Sequence, residues 1–351
     1  MGSALKRYYD EDDVRVRRSG RKSRPRTRIR PAHADAVDGF VVAVDRGRYT
    51  CLVGGGLPGG DRDQEGRTGP EDKDERVLVV AMKARELGRK GIVVGDRVAL
   101  VGDVSGRPDT LARIVRVAER RSILRRTADD TDDVERPIVA NADQLVIVTA
   151  LADPPPRPRM IDRLLVAAYD AGVDPLLCLT KSDLAPPDEL LEIYRPLGVP
   201  YVVVYKGGPL DELRERLVGR VSVLVGHSGV GKSTLVNALV PNAQRVVQEV
   251  NAVTGRGRHT STSVVALELP EGGWIIDTPG VRSFGLAHVP AETVLAAFPD
   301  LVDATADCPK GCTHLGDGCA LDAFVAEGGA DPRRLDSLRR LLANRMSMDE
   351  S

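Results

Sequence analysis

Aromatic residues are scarce in this sequence of 351 residues, since only 3% are Phe, Trp or Tyr. Aliphatic side chains must therefore build its hydrophobic cores, and a hydrophobic fraction of 42% is adequate for that. The length is sufficient for two or three domains. A formal net charge of −1 does not by itself indicate any class of partner.

Long apolar runs are also missing from the sequence. No run approaches the roughly 20 residues that a membrane-spanning helix needs, and the first residues lack the apolar core of a signal peptide. We therefore expect a cytoplasmic protein with no membrane partner, whose five cysteines stay reduced. The cysteines are then free thiols or metal ligands, and disulfides are not expected.

Positive charge is concentrated near the N-terminus, between Arg15 and Arg30, where no acidic residue occurs. This stretch has glycine and proline but no apolar period, which is typical of a disordered arm. We predict that residues 1–36 form such a basic arm. It either contacts RNA or the ribosome through phosphate groups, or serves only as a solubilising tail.

Residues 37–120 are β-rich and contain the short segments GFVVAV, YTCLV, RVLVVAM, GDRVALV and ARIVRV. Five short strands separated by glycine-rich turns predict a small barrel or sandwich. The insert at residues 54–75 has no periodicity and is expected to be a mobile loop.

Residues 121–289 have a different pattern, with the continuous apolar runs QLVIVTAL, PLLCLT, YVVVY, VSVLVG and WIIDT. Such runs are typical of parallel strands that are covered on both faces. The segments IDRLLVAAYDAG and STLVNALV have a helical period and alternate with these runs. The alternation predicts a parallel α/β sheet with helices on both sides.

A phosphate-binding loop is predicted at GHSGVGKS, because this segment fits G-x-x-x-x-G-K-[ST] between a predicted strand and a predicted helix. Its backbone N–H groups would surround phosphate oxygens. Lys232 should reach the β- and γ-phosphates, and the Ser233 hydroxyl should bind Mg²⁺. His227 is more plausible as a loop filler than as a catalytic group. The expected nucleotide-binding residues of this loop are Gly226, His227, Ser228, Gly229, Val230, Gly231, Lys232, Ser233 and Thr234.

Two further segments are predicted to contact the phosphates and Mg²⁺. In WIIDTPG, Asp277 ends an apolar strand and can hold Mg²⁺, while Gly280 offers an N–H to the γ-phosphate. The preceding segment NAVTGRGRHTSTS is rich in glycine, basic residues and hydroxyl groups. We expect Thr260, with Thr262 as the second choice, to complete the Mg²⁺ shell when a γ-phosphate is present.

The segment TKSD follows the apolar run PLLCL and is typical of a guanine-binding loop. The Asp183 carboxylate can accept hydrogen bonds from N1–H and the N2 amino group of guanine, and Lys181 can pack across the base. Thr180 replaces the commoner Asn, which is expected to loosen the loop. TKSD precedes the phosphate loop, although ordinary GTPases have the reverse order. We therefore interpret the domain as circularly permuted, with GTP or GDP and Mg²⁺ as ligands.

A cysteine cluster lies in the helical C-terminal region, where Cys308, Cys312, His314 and Cys319 supply a tetrahedral Cys₃His set for one structural Zn²⁺. The two remaining cysteines, Cys51 and Cys178, fall in apolar strands and are expected in the core.

The segment ADPRRLDSLRRLLANR predicts a helix capped by Asp331, with Pro332 in its first position. Its leucines should pack on the domain, and its arginines are expected to form a solvated surface.

Together these motifs resemble the circularly permuted RsgA (YjeQ) GTPases, through NADQLVIV, IDRLLVAA, TKSDL, GHSGVGKSTLVNAL, GRHTST and DTPGVRSFGL. The resemblance implies an N-terminal OB-fold β-barrel over residues 37–120. A permuted P-loop α/β GTPase domain would follow over residues 121–289, and a helical zinc-binding domain over residues 290–351. It also implies binding to the small ribosomal subunit and its rRNA in late maturation, with GTP hydrolysis stimulated by that subunit. The cysteine spacing is one residue shorter than the family pattern in both longer gaps.

The residue that activates water is not obvious, because Val281 occupies the position where many GTPases have a water-orienting Gln. His259 is our candidate catalytic residue, and the resembling family is proposed to use the His of this motif. The alternative is that His259, with Arg256 and Arg258, contacts RNA phosphate.

Two other functions are compatible with the sequence. One is a P-loop ATPase or kinase in which TKSD is accidental, and the other is an RNA-binding adaptor whose nucleotide site only stabilises the fold. No DNA partner is indicated, and a monomer is expected because no self-complementary apolar helix stands out.

Overall fold

The computed structural model describes residues 33–58, 76–88, 91–127, 135–243, 264–278, 289–316 and 318–346. Several predictions therefore concern residues outside the described ranges. These are the basic arm up to residue 32, most of the insert at residues 54–75, the GRHT segment with His259, Thr260 and Thr262, and Gly280 with Val281.

The N-terminal strands close into a five-stranded barrel. They are β1 (Val37–Asp45), β2 (Arg48–Val53), β3 (Val77–Lys83), β4 (Arg97–Gly102) and β5 (Ala112–Val117). Their order is β1-β2-β3-β5-β4, and β4 pairs back to β1, so no edge of the barrel stays open. The pair β3–β5 is parallel and the other pairs are antiparallel. The predicted small barrel is confirmed.

A hairpin that the sequence patterns did not predict joins the barrel to the second sheet. It consists of β6 (Ile123–Thr127) and β7 (Glu135–Ala140), which pair in antiparallel fashion. Next to it, the Asp96 side chain is fully buried and accepts hydrogen bonds from Arg120 at 2.7 and 2.8 Å. The Val93 backbone N–H donates a further bond to the same carboxylate. The negative charge is therefore compensated where the two parts of the chain meet.

The second sheet has the order β10-β9-β8-β11-β13-β12. Its first five strands pair in parallel, and β12 is antiparallel to β13. The sequence runs predicted the parallel strands, whereas the short edge strand β12 was not predicted. The strands are β8 (Gln144–Ala150), β9 (Asp174–Thr180), β10 (Tyr201–Val203), β11 (Val221–Gly226), β12 (Val265–Glu268) and β13 (Trp274–Asp277).

Helices cover both faces of this sheet, as predicted. Alternate residues of β8 belong to two different hydrophobic clusters, because successive side chains of a strand point to opposite faces. Leu145 and Ile147 pack in the cluster that contains α1 and α2, while Val146 and Val148 pack with α3 and α4. The helices are α1 (Pro158–Ala171), α2 (Asp188–Tyr194), α3 (Asp211–Leu217) and α4 (Lys232–Leu239).

The barrel and the second sheet form one continuous sheet of eleven strands. Barrel strand β1 pairs with β12 at Ala43 and Val265. The rings of Phe40 and Trp274 lie 5.5 Å apart between their centroids. Arg76 also binds Glu268 at 2.7 and 3.0 Å, so main-chain, apolar and ionic contacts all hold the barrel against the β12–β13 hairpin.

The C-terminal region is helical, as predicted, with α5 (Ala291–Leu295), α6 (Pro299–Val302), α7 (Ala320–Ala326) and α8 (Pro332–Met346). Asp331 caps α8 by accepting the Arg333 backbone N–H at 2.9 Å, which confirms the predicted cap. The predicted apolar face is also buried, and it comprises Leu335, Leu338, Leu341 and Leu342. Among helices in the described ranges, none is long and apolar enough to cross a membrane.

The expectation that the arginines of α8 form a solvated surface is wrong for three of them. Arg334, Arg339 and Arg340 make ion pairs with Asp300, Asp322 and Asp162, respectively. Arg333, in contrast, is 75% exposed and pairs with the cap residue Asp331 at 2.7 Å. Helical periodicity identifies the leucine face but does not show which charged residues lie at its borders.

Gly95 is a position where an added methyl group has no space. It has φ of +91°, and a Cβ atom would lie 2.0 Å from the Ala140 carbonyl oxygen at the end of β7. Gly47 has a similar φ of +83° but nothing within 4 Å of its Cβ position. We expect Gly95→Ala to lower the free energy of unfolding by about 3 kcal/mol or more and Gly47→Ala by about 1 kcal/mol.

Urea unfolding followed by fluorescence measures this difference, because the single tryptophan, Trp274, lies at the junction of barrel and sheet. Equal urea midpoints for Gly95→Ala and Gly47→Ala would contradict the close packing of Gly95 against β7.

Candidate nucleotide site and metal centre

The predicted nucleotide loops meet at the carboxyl ends of three neighbouring parallel strands. The phosphate loop leaves β11 at Gly226, and TKSD leaves β9 at Thr180. Strand β8 lies between them and pairs with both. Ligands of open α/β sheets bind outside these strand ends. The loops are therefore adjacent although TKSD comes first in the chain, which is the arrangement that a circular permutation produces.

The phosphate loop depends on glycines for its shape. A Cβ atom at Gly226 would lie 2.5 Å from the Val148 carbonyl oxygen, so the loop leaves its strand in direct contact with β8. Gly229 and Gly231 have φ of +84° and +90°, values that side chains rarely adopt. Helix α4 starts at Lys232, so the loop leads into a helix N-terminus that can face an anion.

A lysine and a carboxylate are paired at the centre of the site. The Lys232 ammonium group contacts the Asp277 carboxylate, which lies at the end of β13. The buried Thr278 hydroxyl donates to the Leu224 carbonyl of β11 at 2.8 Å and fixes the chain directly after Asp277. This arrangement places a positive group for phosphate beside an oxygen ligand suited to Mg²⁺. Ser233 and Thr234 lie exposed in the first turn of α4.

Thr180 connects the two nucleotide loops directly. Its hydroxyl is buried and lies 2.6 Å from the carbonyl oxygen of Val230 in the phosphate loop. The carbonyl oxygen of Thr149 lies 3.3 Å from the same hydroxyl. The expectation that threonine loosens this loop is therefore wrong, because its hydroxyl supplies the supporting hydrogen bond.

The rest of the TKSD loop is a turn beside the end of β10. Lys181 has φ of +58°, and its ammonium group contacts the Asp153 carbonyl oxygen. The Leu184 N–H donates to the Lys181 carbonyl at 2.9 Å, and Asp183 is exposed at the tip of this turn. The carboxylate is therefore accessible to a ligand at the edge of the sheet.

The sequence interpretation missed the segment after β10. The Ser182 N–H lies 3.4 Å from the Val204 carbonyl oxygen, so this segment borders the TKSD loop. Tyr205, the next residue, is 47% exposed. The rule that ligands bind at the carboxyl ends of parallel strands identifies it, because Tyr205 ends the run YVVVY.

His227 packs against its own loop. Its Nδ1 atom lies 2.7 Å from the Ser228 carbonyl oxygen, and its ring lines a small pocket with Met160 and Ile161 of α1. This placement agrees with its interpretation as a loop filler. The pocket also shows that α1 is the support beneath this side of the phosphate loop.

The four predicted metal ligands converge in the C-terminal region. One donor atom from each of Cys308, Cys312, His314 and Cys319 lies within 4.8 Å of the others. The His314 Nδ1 atom is 3.6 Å from Cys308 Sγ and 3.5 Å from Cys319 Sγ. Zinc–ligand bonds are about 2.0–2.3 Å long, so one ion fits between donors at these separations. The shortened cysteine gaps therefore still allow the four side chains to meet.

The five thiols have two different environments, since three lie in the C-terminal cluster and two in buried strands. A hydrogen bond from the His314 backbone N–H is the main cause that lowers the pKa of Cys312. Desolvation raises the pKa of Cys319 to about 11. Cys51 and Cys178 are fully buried in strands, and desolvation raises the pKa of the Cys178 thiol to about 12. These two are core residues, as predicted.

Removal of the Thr180 hydroxyl tests the connection between the two loops. Thr180→Val keeps the shape but leaves the Val230 carbonyl oxygen without this donor. We expect affinity for a fluorescent GDP analogue to fall about fivefold, which corresponds to roughly 1 kcal/mol for one hydrogen bond. Stopped-flow measurement of the rate at which the analogue dissociates detects this loss of affinity. Thr110→Val is the control, because that hydroxyl bonds an exposed barrel turn. Equal losses in both variants would contradict this role.

Comparison with known proteins agrees with this geometry. A model of the family described as RsgA GTPase matches residues 117–287. The "Small ribosomal subunit biogenesis GTPase RsgA" of Pseudomonas aeruginosa is 41% identical over 268 residues, which are 74% of this chain and 77% of that protein.

Two solved structures share the fold. YjeQ from Thermotoga maritima matches with a TM-score of 0.61 and 26% identity, covering 88% of this chain and 98% of that one. YloQ, described as a circularly permuted GTPase, also has a TM-score of 0.61 at 23% identity, and the match covers 90% of this chain and 97% of YloQ. The extent of these matches, together with the order of the nucleotide loops, shows that the chain belongs to the RsgA family of circularly permuted GTPases.

Proposed function

We propose that this chain is a GTPase that binds the small ribosomal subunit during late maturation and hydrolyses GTP faster when bound. The observation that carries the GTPase part of this proposal is the direct hydrogen bond between the TKSD loop and the phosphate loop. The guanine-type loop is thereby tied to the phosphate site, which argues against an accidental TKSD in an ATPase. The names of the curated relatives support the ribosomal role.

The proposed binding roles follow from the chemistry of each group. Asp183 accepts two hydrogen bonds from guanine, an edge that adenine does not offer. Lys181 packs across the base. Lys232 contacts the β- and γ-phosphates, and the loop N–H groups surround their oxygens. Ser233 and Asp277 bind Mg²⁺, and Thr260 completes its shell. The Gly280 N–H contacts the γ-phosphate. Thr260 and Gly280 lie outside the described ranges. Bound Mg²⁺ would neutralise part of the phosphate charge.

The proposed catalytic group is His259. Val281 has no polar group with which to orient water, so another side chain has to do it. An imidazole can position water or accept its proton near neutral pH. Since His259 lies in a glycine-rich, basic segment, we propose that the docked subunit brings it to the γ-phosphate. The competing role is contact with RNA phosphate by His259 together with Arg256 and Arg258.

We further propose that Cys308, Cys312, His314 and Cys319 hold one structural Zn²⁺. Four protein ligands leave no open position for chemistry, so the ion would stabilise the loop rather than react. The proposed partners are the small subunit and its rRNA, with the basic arm as an added contact to phosphate. We propose a monomer that has neither DNA nor a membrane as partner.

Substitution of Asp183 tests guanine recognition. Asp183→Asn removes an acceptor for two guanine donors, so we expect GTP affinity to fall at least about 100-fold. Xanthosine triphosphate should then bind better than GTP, because the new amide can donate to the 2-oxo group of xanthine. Isothermal titration with both nucleotides measures the switch. Asp188→Asn, at an exposed carboxylate of α2, is the control. Unchanged GTP preference, with ATP as an effective competitor, would favour the ATPase alternative.

GTP turnover with and without purified small subunits tests the ribosomal role. We expect stimulation of at least about tenfold in the natural chain and its loss in His259→Ala, because general acid–base groups contribute on the order of 10²-fold or more. His33→Ala is the matched control. Stimulation that survives in His259→Ala would move catalysis to another group. No stimulation, with equal subunit affinity in GTP and GDP, would favour the RNA-binding adaptor.

A further inference from the structure

Helix α1 supports both nucleotide loops from below. Ile161 and Leu164 of α1 line the pocket beneath the phosphate loop, where they lie beside Val230. The chain that leads into α1 contacts both loops as well. The Asp153 carbonyl accepts the Lys181 ammonium group, and a Cβ atom at Gly229 would lie 3.5 Å from Pro154. A shift of α1 would therefore move the surfaces on which both loops rest.

The same helix carries a buried charge that a distant part of the chain neutralises. Asp162 follows Ile161 and its side chain is only 1% exposed. Arg340 of α8 binds it at 3.0 Å through Nε and lies over the Tyr194 ring, 5.4 Å from its centroid. The Tyr194 hydroxyl donates to the Pro158 carbonyl at 3.0 Å. Arg340 thus contacts α1 directly and also through the end of α2.

The neighbouring arginine of α8 contacts the loop that carries the Cys₃His cluster. Arg339 donates to the His314 carbonyl at 3.0 Å and pairs with Asp322 at 2.8 Å. Adjacent residues on a helix point about 100° apart, so Arg339 and Arg340 contact two different segments of the chain from the same turn of α8. On one side it holds the loop with the Cys₃His ligands, and on the other it holds the helix beneath the nucleotide loops.

We propose that Arg340 is a positioning residue of the nucleotide site, which acts through Asp162 and α1 and couples the C-terminal metal-ligand region to nucleotide affinity. The proposal rests on the proposed GTPase function and deepens it. A buried carboxylate that loses its arginine is strongly destabilised, and we expect α1, which carries Asp162, to shift in response. Movement of α1 withdraws the pocket wall from Val230 and so weakens nucleotide binding.

Reciprocity gives this inference a second consequence. If docking of α8 raises nucleotide affinity, bound nucleotide must stabilise the docking of α8 by the same factor. Backbone amides of α8 are therefore expected to exchange with deuterium more slowly when GDP is bound. A side chain with only a general stabilising role would not transmit the effect of nucleotide to α8.

The experiment uses the full chain, prepared with added Zn²⁺, and a fluorescent GDP analogue as probe. We expect Arg340→Met and Asp162→Asn each to weaken binding about fivefold, and the double variant to be no weaker than either single one. Arg340→Lys should recover part of the affinity because an ammonium group can still pair with Asp162. Arg333→Met is the control on the same helix. Hydrogen exchange of α8 is then compared with and without GDP.

The outcomes separate this inference from the function on which it rests. Weaker binding, rescue by lysine and loss of the GDP-dependent protection of α8 in Arg340→Met would support it. Unchanged affinity in the single variants would overturn it, as would protection of α8 that GDP never alters in the natural chain. Failure of the natural chain to bind GDP would overturn the proposed function first, and this inference with it.

Discussion

The parallel pairing of β8 with both β9 and β11 is the constraint on which the nucleotide site depends. It aligns the end of β9 with that of β11, so that Thr180 reaches Val230 across the intervening strand. Position in the sheet, and not order in the chain, determines which loops meet. A GTPase can therefore be permuted without loss of its site, provided that the strand order is kept. What the permutation changes is which loops adjoin the neighbouring domains.

One result of this order is that the barrel lies against the strand that follows the predicted switch segment. In the second sheet β12 is an edge strand, and an exposed edge tends to pair with other chains. Pairing with β1 covers part of that edge, while the Phe40–Trp274 contact and the Arg76–Glu268 ion pair reinforce it. Since β13 carries Asp277 at its end, the barrel is braced against the same hairpin that contributes to the phosphate site.

The sequence predicted those features that local patterns encode. Apolar runs identified five parallel strands, and Asp331 marked the start of α8. Motif spacing predicted two loops that meet and four side chains that converge as candidate metal ligands. It did not predict β12, whose four residues are too few to show a period. Nor did it predict the ion pair of Arg340, because the helix pattern is the same whether an arginine faces water or Asp162. The expectation for Thr180 failed for a related reason, since its effect depends on the distance to Val230 across the sheet.

The arginines also affect how independent the three predicted domains can be. At the C-terminal junction Arg340 neutralises the buried carboxylate of Asp162 beneath the nucleotide loops. At the barrel junction the Ala140 N–H donates to the Val94 carbonyl at 3.0 Å, and the Asn141 side chain donates to the Gly95 carbonyl at 2.8 Å. A buried carboxylate without its partner costs several kcal/mol, and a buried hydrogen-bonding group left unsatisfied costs about 1–3 kcal/mol, so neither junction can open without an energetic penalty. Composition suggests boundaries near residues 120 and 289, yet these contacts make each part depend on the next.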